Sequence, residues 1–319
     1  MISANLRGAG LALAGFAVFS LHDAVVKALG AHYDAVQIVF FSVLLGFPLV
    51  LLMLIRERDG SLRPRRPGWT ALRTGAVMAT MLSAFYAFST IPLAQAYAII
   101  FATPLIITAL SVPILGERVG PRRWSAVLLG LIGVLIVLRP GAEAGLGLGH
   151  LAALVAAGAG ALVAVIMRKI GNEERSAVLL LYPMLANAAA MGCLLPFVYR
   201  PMPLEHLGGM GLVALGALGG MLLMIAAYRA AEAVVVAPMQ YSQMLWAILL
   251  GVVLFDEVPD AMTLLGSAVI AASGLFVFLR EGRPRVSATQ PALYAADRPG
   301  LAPEGAPIEA APDIPGPQD

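Results

Sequence analysis

Long runs of apolar residues, separated by short polar stretches, dominate the first 281 positions of the chain. An α-helix of about 20 apolar residues spans the roughly 30 Å hydrocarbon core of a bilayer. The pattern therefore predicts an all-α integral membrane protein with ten transmembrane helices. These helices cover roughly 7–29, 35–55, 69–90, 93–115, 122–138, 148–169, 176–199, 207–229, 233–255 and 260–280.

The second half of this pattern resembles the first. The segment from Phe85 to Glu117 reads FYAFSTIPLAQAYAIIFATPLIITALSVPILGE, and the segment from Tyr228 to Glu257 reads YRAAEAVVVAPMQYSQMLWAILLGVVLFDE. In both segments a Pro-containing apolar helix ends at a glutamate, and the two glutamates lie 140 positions apart. An internal repeat of this length in an apolar chain is typical of transporters built from two related units. We expect these units to cover 1–145 and 146–281.

The charges in the loops predict how the two units sit in the membrane. Each unit holds five helices, and because five is odd the second unit has the opposite orientation to the first. Lysine and arginine collect in cytoplasmic loops. With the amino terminus inside, sixteen of them fall on the cytoplasmic side, and only Lys27, Arg139 and Arg200 fall on the other. The loops therefore predict an inverted-topology repeat with both termini in the cytoplasm.

The composition excludes a soluble domain and identifies a separate tail. Hydrophobic residues make up 60% of the chain and charged residues 13%, against about 45–50% and about 25% in soluble proteins. After Arg285 the chain becomes rich in Pro, Ala, Gly and acidic residues, without periodicity. This change predicts a disordered cytoplasmic tail at 282–319. The net charge of +2 reflects the basic loops and does not indicate a nucleic-acid partner.

The residues of metal sites and catalytic sites are scarce in this chain. The single cysteine, Cys193, allows no intramolecular disulfide, and the four histidines are far apart in the sequence. Neither a metal-binding Cys/His pattern nor a GxSxG motif occurs. We therefore expect no enzyme activity, no metal and no cofactor. A channel-like pore or a membrane scaffold remains an alternative to a transporter.

The ninth predicted helix carries the strongest candidates for substrate binding. Gln240 and Gln243 share one face at helical spacing, with Tyr241 and Trp246 beside them. Pro238 removes a backbone donor and can bend the helix there. Two neutral amides can bind both charged groups of an amino acid; alternatively, they form hydrogen bonds between helices. At the offset of 140, Gln240 and Gln243 match Ile100 and Thr103 of the fourth helix.

Aromatic residues on the third, fourth, eighth and ninth helices can form flat walls for the same site. Tyr86, Tyr97 and Tyr228 are the candidates, and Thr103 adds a hydroxyl. For any one of these side chains, packing in the core is the alternative role.

The first helix contains three ionisable residues, which are costly within a span. Asp23 and Lys27 are four positions apart and can pair on one face of the helix, which lowers the cost of both; alternatively, they form a solvated pair near its outer end. His22 is a candidate for the cavity wall and for proton coupling, or it forms a hydrogen bond to a neighbouring helix.

Several residues resemble the EamA-type unit of the drug/metabolite transporter superfamily. In the first half these are Leu115-Gly116-Glu117, closing the fourth helix, then Gly130, Gly133 and Lys27. In the second half they are Ala226, Ala230, Ala231, Ala237-Pro238 and Glu257. The resemblance covers about 1–281. It implies a multi-pass, monomeric transporter of the bacterial inner membrane that exports small amphipathic metabolites by alternating access. The chain is most similar to exporters of neutral and aromatic amino acids; export of drugs or other metabolites is the alternative.

Overall fold

The structure, a computed structural model, describes residues 2–54, 63–117, 119–139, 146–171, 173–231 and 233–281. Within these ranges the secondary structure is helical and contains no strand, as the hydrophobic pattern predicts. The expected tail at 282–319 and several of the basic loop residues lie outside the described residues. We refer to the described residues up to 139 as the first half and those from 146 onward as the second half.

The described residues form twelve α-helices and one short 3-10 segment. The first half contains α1 (Ile2–Gly30), α2 (Ala35–Leu54), α3 (Pro67–Thr90), α4 (Leu93–Ile100), α5 (Thr103–Leu115) and α6 (Pro121–Leu138). The second half contains α7 (Leu148–Ile170), α8 (Ser176–Val198), α9 (Leu204–Ala230), α10 (Ala233–Val236), the 3-10 segment Ala237–Tyr241, α11 (Ser242–Phe255) and α12 (Ala261–Glu281).

Most of these helices are long and apolar enough to cross a bilayer. Among the described residues, seven helical stretches meet both conditions. Three shorter apolar helices, Ala35–Leu51, Trp124–Leu138 and Ala261–Phe276, coincide with the other predicted runs. On α6 the side chains of Leu128, Ile132 and Leu135 are exposed, which is the composition of a surface that faces lipid.

Two of the predicted helices are interrupted in the structure. The span predicted over 93–115 is present as a helical stretch that is long enough to cross a bilayer. It is interrupted, because α4 ends at Ile100 and α5 begins at Thr103 after the turn Phe101-Ala102. Pro104 lies in the first turn of α5, where its missing N–H costs no hydrogen bond. The run 233–255 is broken by the 3-10 segment around Pro238, as this proline predicts. Both breaks occur at positions that match in the repeat.

The two halves pack against each other through pairs of helices rather than as separate bodies. Helix α1 packs along α9, α2 along α8, α3 along α7, and α6 along α12. Glycines allow the close approach of α1 and α9. A Cβ at Gly220 would lie 2.3 Å from the Phe19 ring, and one at Gly216 would lie 3.0 Å from the Cβ of His22. The GxxxG spacing of α9 therefore places His22 against the opposite half.

Candidate functional site: a cavity between the two halves

A cavity of about 220 Å³ lies between the two halves. Helices α1–α4 of the first half and α7, α8, α9 and α11 of the second half form its wall. Apolar side chains make up most of the wall, and none of its described residues is a lysine or an arginine. Its polar residues are His22, Asp23, Ser42, Thr80, Tyr97, Asn187 and Gln243.

Asp23 contributes the one acidic side chain among the described wall residues. Its Oδ1 lies 2.7 Å from Nδ1 of His22, and its Oδ2 accepts a hydrogen bond from the Tyr97 hydroxyl. The side chain is only 10% exposed. Packing against α4 therefore orients the carboxylate, since Tyr97 belongs to that buried helix.

The expected pair between Asp23 and Lys27 does not form. Lys27 instead lies 2.8 Å from Oε1 of Glu257 in the second half. Spacing along one helix predicts which side chains can meet, but neighbouring helices here supply better partners. Asp23 and Lys27 consequently have separate positions, with Asp23 at the cavity and Lys27 at the junction between the halves.

Aromatic rings follow one another along the wall beside Asp23. The ring of His22 lies 5.8 Å from that of Phe85, and Tyr97 lies 5.6 Å from Phe88 and 5.7 Å from Phe101. All five residues line the cavity. Rings at these separations interact favourably and form a rigid wall that suits a flat or apolar solute.

Two buried polar residues of the wall were not predicted from the sequence. Asn187 of α8 donates through Nδ2 to the carbonyl of Pro183, 3.0 Å away, and its Oδ1 has no hydrogen-bond partner among the described residues. The hydroxyl of Ser42 on α2 likewise has none. Both are isolated polar residues within apolar runs, and this signal was available in the sequence.

The structure brings three of the nine predicted site residues to the cavity, namely His22, Tyr97 and Gln243. Gln243 is buried in the first turn of α11. Their roles in substrate binding remain predictions, because the structure holds no substrate.

The other six predicted site residues lie outside the described cavity wall. Two of them, Gln240 and Tyr241, belong to the 3-10 segment, and the Tyr241 ring lies 6.0 Å from Phe101. Thr103 donates to the carbonyl of Ile100 at 2.5 Å and so stabilises the turn between α4 and α5. Tyr228 packs against the cluster around Phe16 and Phe19. Tyr86 and Trp246 are partly buried.

An ion pair joins the two halves at each end of the molecule. At one end Lys27 of α1 contacts Glu257, and at the other Arg168 of α7 contacts Glu117. Each glutamate directly follows a residue in the left-handed conformation, Gly116 with φ 72° or Asp256 with φ 54°. Such residues end a helix and turn the chain back. The N–H of Glu117 accordingly donates to the Ser111 carbonyl, and that of Glu257 to the Gly251 carbonyl.

This geometry, a helical bundle with a cavity between two similar halves, is that of a membrane transporter. The model of the EamA-like transporter family matches residues 6–139 and 147–279. The chain therefore belongs to the EamA-like transporter family, and the resemblance expected from the sequence is confirmed.

Curated relatives are transporters of different solutes. The chain is 27% identical to an S-adenosylmethionine uptake transporter of Rickettsia bellii, covering 86% of this chain and 94% of the relative. A pseudopaline exporter of Pseudomonas aeruginosa is 27% identical over 84% of this chain and 95% of its own. A riboflavin transporter of Rhizobium johnstonii is 28% identical over 86% and 91%.

A solved structure shares the fold. This crystal structure of a protein aligns with 88% of the present chain and 99% of its own, at a TM-score of 0.55 and 21% identity. At this identity the similarity concerns the fold alone.

Proposed function

We propose that this chain is an alternating-access carrier that moves a small amphipathic solute across the bacterial inner membrane. In this proposal ten spans form two inverted units, 1–145 and 146–281, with both termini in the cytoplasm. The observation that carries it is the cavity, because both halves contribute to its wall. Two similar halves around one central site can expose that site to either side of the membrane in turn.

The position of the cavity along the helices supports a central solute site. On α2 its wall includes Ser42, Gly46 and Val50, and on α3 it runs from Val77 to Phe88. A site between two related halves near the middle of the helices is the arrangement that an alternating-access carrier uses.

The apolar, aromatic wall favours an amphipathic solute, and neutral or aromatic amino acids are the class that we propose for export. An amide at Gln243 and a carboxylate at Asp23 offer hydrogen-bond acceptors within a mainly apolar surface. The relatives differ in solute and in direction, since one is an uptake transporter and another an exporter. Their names therefore select neither for this chain, and other metabolites and drugs belong in the same test.

The test is solute flux into proteoliposomes that contain the purified protein. A carrier shows saturable flux that is accelerated by substrate on the opposite side, and the panel should contain phenylalanine, tryptophan, leucine and cationic drugs. Flux that rises linearly with concentration and does not saturate would indicate a pore. The absence of flux for the whole panel would contradict the proposed substrate class.

A matched pair of variants links flux to the cavity. Gln243→Leu should reduce the transport rate at least tenfold, because Gln243 lines the cavity. Gln240→Leu should leave it near that of the unmodified protein, because Gln240 lies outside the described wall. Equal transport rates in the two variants would contradict a specific contribution of Gln243 to the site.

A further inference from the structure

We infer that Asp23 binds the ammonium group of the solute, so that the cavity prefers solutes with an ammonium group and an aromatic body over anions. This inference rests on the proposed function in taking the cavity as the solute site. It goes beyond that function by assigning the charge of the solute and the residue that recognises it.

The partners of the Asp23 carboxylate on the described wall are His22, whose Nδ1 lies 2.7 Å from Oδ1, and Tyr97. Tyr97 donates a neutral hydrogen bond, which orients the carboxylate without cancelling its charge. Lys27 is four residues away but is already bound to Glu257 and to the carbonyls of Phe88 and Ile91. No lysine or arginine belongs to the described wall. A carboxylate in so apolar a setting is costly unless a cation approaches it.

The aromatic rings around Asp23 add a second attraction of the same sign. Phe85, Phe88 and Phe101 line the cavity beside Tyr97, with successive rings 5.6–6.0 Å apart from Phe88 to Tyr241. The faces of aromatic rings carry partial negative charge and attract ammonium groups, most strongly where water is excluded. A carboxylate within a ring-lined wall is the arrangement that recognises organic cations.

A further polar atom of the wall favours a hydrogen-bond donor of the solute. Oδ1 of Asn187 is an acceptor without a partner among the described residues, and this residue is 2% exposed. No described wall residue is a lysine or an arginine that could bind a carboxylate of the solute. A carboxylate of the solute therefore meets only neutral donors of the described wall, such as Ser42 and Gln243, whereas an ammonium group meets the opposite charge of Asp23.

Equilibrium binding to the purified protein in detergent tests this inference with ligands that share one aromatic body. These ligands are 2-phenylethylammonium, phenylalanine and 3-phenylpropionate, measured at one neutral pH by calorimetry. We expect 2-phenylethylammonium and phenylalanine, which both carry an ammonium group, to bind at least tenfold more tightly than 3-phenylpropionate. Equal affinities for the ammonium and 3-phenylpropionate would overturn the inference, whatever the behaviour of any variant.

Two variants assign the preference to Asp23. Asp23→Asn should lower the affinity for 2-phenylethylammonium at least tenfold without weakening the binding of 3-phenylpropionate. Asp260→Asn is the matched control, because it removes a carboxylate outside the described cavity wall and should leave both affinities unchanged. An ammonium affinity within twofold of the original in folded Asp23→Asn would overturn the inference. If that variant does not fold, the ligand series on the unmodified protein still decides.

Binding and transport separate the two proposals. A protein that prefers the ammonium but shows no saturable flux of it contradicts the carrier proposal alone. A protein that transports phenylalanine with saturation but has no preference for the ammonium contradicts only the assignment of charge to Asp23.

Discussion

An ion pair joins the two halves at each end of the molecule, but the residues that form the two pairs differ. At both ends a glutamate directly after a helix pairs with a cation of the other half. The glutamates Glu117 and Glu257 lie 140 positions apart, and their partners Lys27 and Arg168 lie 141 apart. The two ion pairs are thus equivalent in the repeat, and their differences show how the halves have diverged.

At the Glu257 end one ammonium group makes several contacts. Lys27 donates to the carbonyls of Ile91 at 2.8 Å and Phe88 at 3.3 Å, and lies 5.4 Å from the centre of the Phe255 ring. Its side chain is only 11% exposed. Glu257 also accepts a hydrogen bond from the N–H of Leu93, the first residue of α4. The pair of Lys27 and Glu257 therefore joins α1, α3, α4 and α11 at this end.

At the Glu117 end two neighbouring cations divide the same contacts. Arg168 pairs with Glu117, while Lys169 donates to the carbonyl of Ile114 at 2.6 Å and lies 4.6 Å from the Trp69 ring centre. The side chain of Arg168 is 23% exposed, about twice the exposure of Lys27. Because the contacts are shared and nearer to solvent, the loss of one residue here leaves the others in place.

The largest predicted difference follows from removing each cation. Lys27→Met should lower the free energy of unfolding by about 2–3 kcal/mol, because it leaves Glu257 partly buried without a counter-ion. Arg168→Met should cost about 1 kcal/mol or less, since its partner is more exposed. Thermal unfolding in detergent measures both. An equal loss from the two changes would show that burial does not distinguish the ends.

Charge exchange is the control for this comparison. Arg168→Glu combined with Glu117→Arg should recover most of the stability lost in the single Arg168→Glu variant. Lys27→Glu combined with Glu257→Lys should recover less, because a carboxylate at position 27 faces the carbonyls of Phe88 and Ile91 and cannot donate to them. Full recovery at the Lys27 end would contradict a role for these carbonyls.

A smaller effect is expected where the helices end. Gly116 and Asp256 both adopt the left-handed conformation, and a side-chain Cβ at Gly116 would meet no atom within 4 Å. Gly116→Ala should therefore cost about 1 kcal/mol through the backbone alone. Asp256→Gly should change the stability by less than about 0.5 kcal/mol, because aspartate already tolerates this conformation. A larger loss in Asp256→Gly would mean that its carboxylate makes a stabilising contact.

The smallest predicted effect on stability depends on pH. It concerns Asp260, which lies at the Glu257 end of the molecule. The pKa of Asp260 is lowered, because the Thr263 N–H donates to its carboxylate and Arg139 lies beside it. A lowered pKa in the folded state adds stability above the ordinary carboxyl range, and this stability is lost as the pH falls below about 4.

Screening by solvent limits this effect, because the side chain of Asp260 is 46% exposed. We expect a few tenths of a kcal/mol, seen as a higher unfolding temperature of the unmodified protein than of Asp260→Asn at pH 7. The difference should become smaller as the pH falls below about 4. A difference that stays constant over this range would contradict the contribution of the Asp260 charge.

The repeat, the helical class and the break at Pro238 could be predicted because they depend on local composition. The break between α4 and α5 could not be, since Phe101 and Ala102 are apolar and leave no gap in the hydrophobic run. Pro104 was the one local sign of it. The partners of Glu117 and Glu257 had a signal in the spacing of Lys27 and Arg168, but only the folded helices show that these residues meet.

The candidate site was predicted less completely. His22, Tyr97 and Gln243 were selected because polar and aromatic residues within spans are conspicuous, and they line the cavity. Gln240 was selected because it is spaced from Gln243 as on a helical face. The 3-10 segment before Ser242 replaces the regular helix there, so this spacing does not place both side chains on one face. The expected pairing of Asp23 with Lys27 was wrong because partners on other helices compete with a neighbour four positions away.

The sequence by itself determined that this chain is a helical membrane protein with an internal repeat. Bilayer thickness and helix geometry together set the length of each apolar run, so the spans can be read from the hydrophobic pattern. Membership of the EamA-like transporter family is confirmed by comparison with known sequences. Only the tertiary structure decided that Asp23 faces the cavity while Lys27 joins the two halves. The reason is that a side chain finds its partner on whichever helix packs beside it, and hydrophobic periodicity does not encode which helices become neighbours.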